Sequence, residues 1–60
     1  MMWTYLSESG DVLADYVRRD DVPPIGYSVR ICGDGGPVRH YEVVRADDNL
    51  RTIILKAVND

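Results

Sequence analysis

The chain has one cysteine, Cys32, and one histidine, His40. A single thiol cannot close a disulfide within the chain, which excludes a disulfide-stapled scaffold, and an isolated thiol suits a reducing cytoplasmic setting better than a secreted one. No stretch approaches the ~20 apolar residues that a membrane-spanning helix requires. The opening Met1-Met2-Trp3-Thr4-Tyr5-Leu6 has no basic segment and only a short apolar run, so it does not read as a signal peptide. Positive charge is also scarce, with seven Lys and Arg against ten Asp and Glu and a net charge of -3. Phosphate binding needs a concentrated basic stripe, so nucleic acid is a disfavoured partner.

What is present is an ordinary apolar share, 45% of 60 residues, and with so small a net charge this excludes intrinsic disorder. A chain of this length makes one domain, residues 1–60, and can bury only roughly 60% of its unfolded surface. Ordering it costs on the order of 90 kcal/mol, at about 1.5 kcal/mol per residue. Its apolar residues must therefore be used efficiently or be helped by a second copy, which leaves a homodimer open.

Turn signals cut the chain at Ser7-Glu8-Ser9-Gly10-Asp11, Asp20-Asp21-Val22-Pro23-Pro24-Ile25-Gly26, Gly33-Asp34-Gly35-Gly36-Pro37 and Ala46-Asp47-Asp48-Asn49. Five segments of about six to nine residues remain, a spacing that predicts an all-β domain built as a five-stranded antiparallel barrel or curved meander. The third segment is the clearest strand, with Tyr27, Val29 and Ile31 alternating with Ser28, Arg30 and Cys32. Residues 38–45 are rich in β-branched and aromatic side chains. Residues 50–58 place Ile53, Leu55 and Ala57 on one face and Leu50, Ile54 and Val58 on the other. The first segment is likewise two-faced, with Trp3 and Tyr5 opposite Met2, Thr4 and Leu6. Such strands suit a position covered on both sides, in a barrel or at a dimer interface.

The second segment reads two ways. As a strand, residues 12–17 put Val12, Ala14 and Tyr16 on one face and form a hairpin with the first segment through Ser9-Gly10. As a helix over residues 11–19, Asp11 would be the N-cap and Val12, Leu13, Tyr16 and Val17 the apolar face, giving an α+β domain.

The run Val22-Pro23-Pro24-Ile25-Gly26-Tyr27-Ser28-Val29-Arg30-Ile31, then a Gly-rich turn, then His40-Tyr41-Glu42-Val43-Val44-Arg45, resembles the Pro-x-x-Gly-Asp-x-Val and Tyr-x-Val-x-x-Val layout of small SH3-like β-barrels of bacteria and phages. Tyr27 stands where those proteins often carry Asp. The resemblance spans about half the chain and implies a fold rather than an activity, since such barrels serve as protein-binding, nucleic-acid-binding and structural modules.

Residues fit for catalysis are few. On a strand His40 and Glu42 share a face about 7 Å apart, close enough for Glu42 to orient the imidazole, yet no nucleophile motif surrounds them and a solvated pair is the simpler reading. The Asp20-Asp21 and Asp47-Asp48 pairs lack the spacing of a calcium loop, and Cys32 and His40 lack companions at zinc spacing. Gly33-Asp34-Gly35-Gly36 leads into a strand instead of a helix, so it reads as a hairpin turn and not a phosphate cradle. Cys32 reads as a small half-buried residue at a strand end. The expectation is a protein that is not an enzyme and uses no cofactor or metal.

Charge placement is more telling. In a meander alternate loops share an end, which gathers Asp20, Asp21, Asp47 and Asp48 at one rim beside Arg18, Arg19, Arg45 and Arg51, while Glu8, Asp11, Asp34 and Asp60 occupy the other end with hardly any cations. Uncompensated acid steers a protein toward a basic partner. The leading expectation is a non-catalytic acidic protein-binding module, of the kind a phage or mobile element uses as an anti-CRISPR-like inhibitor, occupying a basic nucleic-acid-binding surface on a host protein. The competing expectation is a single-stranded nucleic-acid binder that stacks bases on Trp3 and the tyrosines.

Overall fold

The computed structural model describes residues 1–32 and 36–58. The five segments become β1 (Met2–Ser7), β2 (Val12–Arg18), β3 (Ser28–Cys32), β4 (Val38–Asp47) and β5 (Thr52–Ala57). No helix is found among the described residues, so the helical reading of residues 11–19 is set aside. The local reason is the first turn. Gly10 takes a φ of 94°, open to glycine and costly for other residues, and Ser7 N–H donates to the Asp11 carbonyl at 2.8 Å. That closure delivers residues 12–18 alongside β1 as its antiparallel partner.

The strands form one curled sheet in the order β2-β1-β5-β4-β3, a half-barrel. Each strand runs opposite to the one before it in sequence, but the first and last meet side by side, so β1 and β5 pair in parallel, Thr4 with Thr52 through Ser7 with Leu55. The sheet is therefore mixed, a correction to a wholly antiparallel one. An up-and-down ring of five strands must contain one parallel junction, because an odd number of alternating directions cannot close otherwise. Here that junction is hydrogen-bonded, and the opening lies between β2 and β3.

The concave face holds the core. Trp3, Tyr5, Tyr41, Val43, Ile53 and Leu55 are buried, with Leu13, Ala14, Val17, Val29, Ile31 and Ala46 packed around them. The inner faces of β1 and β5 are those their alternation predicts. β2 departs from its expected face. Trp3 pairs with Val17 and Tyr5 with Ala14, so β2 spends an extra residue over that step, and a second shift follows before Leu6 and Val12. These bulges turn Val12 and Tyr16 outward and Leu13 and Val17 inward. Tyr16 takes a φ of 54°, unusual for an aromatic residue, and its N–H and the Thr4 hydroxyl both donate to Asp15 Oδ1, at 2.8 and 2.9 Å.

Two other expectations shift. Ala46 and Asp47 continue β4, and the turn falls on residues 48–51, because a bulge near Val44 adds a residue to β4 against β5. Cys32 is exposed, not half-buried, since it ends an outer strand with its side chain on the convex side.

Candidate partner-binding surface

Because strand directions alternate, the connection over residues 19–27 and the turn over 48–51 lie at the same end of the half-barrel, with the chain's first residue beside them. This end carries Asp20, Asp21, Asp47 and Asp48, as the sequence suggests.

Several side chains there have an identifiable local reason. Asp47 Oδ1 accepts the backbone N–H groups of Asn49 and Leu50 at 3.0 and 3.2 Å, which closes the turn. Arg51, at the turn's end, takes a φ of 52° where glycine would be relaxed. Its guanidinium lies 5.6 Å from the centre of the Trp3 ring and binds the Asp48 carboxylate, contacts that hold the residue in this backbone form. In the other connection Gly26, with a φ of 91°, makes the tight turn that places Tyr27 N–H on the Pro24 carbonyl at 3.1 Å. Gly26 N–H donates to the Val43 carbonyl and Val43 N–H to the Tyr27 carbonyl, extending the pairing of this segment with β4.

Arg19 joins the two sides of the opening at this end. Its Nη1 donates to the Tyr5 hydroxyl at 3.3 Å, its guanidinium sits 5.5 Å from the centre of the Tyr27 ring, and Nη2 lies 3.7 Å from Asp21 Oδ1. The hydrogen bond to Tyr5 is the main influence that raises its pKa above the ordinary arginine value, so the charge is permanent.

The arginines lie beneath the carboxylates. The Arg19 side chain is 18% exposed against 81% for Asp21, and Arg51 is 38% exposed against 65% for Asp48. These two cations are drawn inward over aromatic rings and their acids stand outside them, while Arg18 and Arg45 at the same end are exposed. Asp20 and Asp21, with Met1, Met2, Arg18 and Arg19, also line an open depression of about 730 Å³.

At the opposite end Glu8 and Asp11 share the first hairpin, where the Ser9 hydroxyl donates to Asp11 Oδ2 at 3.1 Å. Asp34 and Asp60 lie outside the described residues. The expected lack of cations is corrected there: exposed Arg39 and Lys56 occupy the ends of β4 and β5 on that side. The two acidic groups are thus not brought together, and the first sets Asp21 and Asp48 over partly covered arginines.

Stacking on Trp3 is also corrected. Trp3, Tyr5 and Tyr41 form the core, leaving Tyr16 and Tyr27 as the exposed rings. A 60-residue sheet must spend its largest apolar surfaces inside. His40 and Glu42 are both exposed on β4. Among the described residues, no three His, Cys, Asp or Glu side chains cluster as metal ligands would, and no helix is long and apolar enough to cross a membrane. The seating of half-covered Arg19 and Arg51 over aromatic rings is the feature sequence reasoning missed. Arg51 two places after Asn49, without a glycine in the turn, was its only trace.

No protein-family model, curated protein or solved structure matches this chain. What it does is therefore argued from its own surface.

Proposed function

We propose that the protein is a non-catalytic binding module built on a small SH3-like barrel, and that the end bearing Asp20, Asp21, Asp47 and Asp48 docks on a basic surface of another protein, as an inhibitor occupying a nucleic-acid site would. The observation that carries this reading is the layering of charge, with carboxylates 81% and 65% exposed above arginines held against aromatic rings. A partner approaching Asp21 or Asp48 meets the acid before the arginine paired with it, while Arg18 and Arg45 stand exposed at the same end. Electrostatic docking of this kind raises association rate and weakens with salt.

The test is affinity capture at about 50 mM salt followed by elution toward about 500 mM, where screening shortens the reach of the field severalfold. Proteins captured through this end should be released by salt, be competed off by duplex DNA, and be lost by an Asp20→Lys/Asp21→Lys variant. Capture that ignores both salt and the double substitution overturns the reading.

A further inference from the structure

The convex face of the central strands carries apolar surface that the core does not use. The inner faces of β1 and β5 are filled by Trp3, Tyr5, Ile53 and Leu55. On the other face, Val12 of β2 pairs with Leu6 of β1, Leu6 pairs with Ile54 of β5, and Ile54 pairs with Arg45 of β4. One row across four strands thus reads Val12, Leu6, Ile54, Arg45. Beside it Leu50 projects from the turn with 72% of its surface exposed. Leu6, Ile54, Leu50 and Thr52 enclose an apolar groove of about 300 Å³, and Arg45 and Asp47 complete its lining.

We infer that this groove is the interface of a two-fold homodimer, with Leu50 of each copy seated against Leu6 and Ile54 of the other. Two observations select a second copy as the occupant. The groove is flanked by one cation and one anion, so a two-fold partner sets Arg45 opposite the partner's Asp47 and the reverse, satisfying both with a single patch. A two-fold interface requires this self-complementarity, because the same surface serves both sides. Two copies supply both signs from one patch, whereas a foreign partner would have to carry a matching pair of its own.

The second observation is area. The chain exposes 4521 Å². A compact monomer of 6.8 kDa should expose about 4,000 Å² by the scaling of surface with mass. The excess, about 500 Å², is roughly two thirds of the ~800 Å² per partner that a standard stable interface covers, the scale of a small interface. Dimerisation through this groove would engage Asp47 and leave Asp20 and Asp21 of the acidic end free, so this inference does not rest on the docking role proposed above.

Sedimentation equilibrium from about 10 µM to 1 mM tests it, spanning the weak affinities expected of a small interface. The mass should rise from 6.8 kDa toward twice that value. Leu50→Asp should weaken association about 100-fold or more, as loss of a central anchor does. Arg45→Glu should weaken it about tenfold at low salt, and high salt should narrow that difference. Both residues are exposed, and circular dichroism should show both variants folded; should Leu50→Asp fail to fold, Arg45→Glu still decides. A mass of 6.8 kDa at the highest concentration would assign the groove to a different protein and overturn the inference. So would a dimer indifferent to both substitutions.

Discussion

The two edges of the half-barrel are built differently. β3 pairs with β4 at five consecutive positions, Ser28 with Glu42 through Cys32 with Val38, without interruption. β2 pairs with β1 across two register shifts and holds Tyr16 at a φ of 54°. A regular edge keeps its outer N–H and C=O groups in line for another strand, whereas bulges misalign them and blunt the edge. The difference explains why the opening falls where it does. β2 cannot present an even ladder to β3, and Arg19 bridges the two sides with its side chain instead.

Removing that bridge is expected to have the largest effect. Arg19→Ala deletes the ring contact with Tyr27 and strands the buried Tyr5 hydroxyl, costing about 2 kcal/mol in chemical denaturation. Arg19→Lys should recover only part of that loss, because a lysine cannot reproduce the planar fork. A loss under about 0.5 kcal/mol would mean the edges are held by other means, since that is the scale of an ordinary surface substitution.

Next in size is the contrast between apolar residues at the edges. Ile31 on β3 packs against the core and Val12 on β2 faces outward. Ile31→Ala should cost about 1–2 kcal/mol and Val12→Ala less than about 0.5, read as shifts in unfolding midpoint. Equal costs would show that the bulges do not turn Val12 away from the core.

The smallest effect has the opposite sign. Tyr16→Gly relieves a left-handed backbone worth about 1–2 kcal/mol and gives back about 0.5–1 in chain entropy, so a net gain near 0.5 kcal/mol is expected. The exposed ring has little packing to lose. A destabilised variant would show that the bulge depends on the tyrosine itself.

Much of the fold was legible because alternation is a local property. Trp3 and Tyr5, Ile53 and Leu55, and Val29 and Ile31 all face the side that period-two reading assigns. β2 was not, since a bulge moves side chains between faces without a residue type that announces it, and neither Asp15 nor Tyr16 is a glycine. At the candidate site, the placing of the two aspartate-bearing connections at one end followed from strand alternation alone. Their relation to the arginines did not, because Arg51 reaches Trp3 and Arg19 reaches Tyr5 and Tyr27 across gaps in sequence that only folding closes.

By itself the sequence determined the class of element, the number of strands and the inner faces of the central ones, through turn residues and a two-residue period that act over a few positions. Tertiary structure decided that β1 and β5 join in parallel, that the ring opens between β2 and β3, and that the acids stand outside their arginines. Those outcomes depend on register and on side chains meeting across distant strands. Packing energies summed over the whole sheet settle them, and no short stretch of chain encodes that sum.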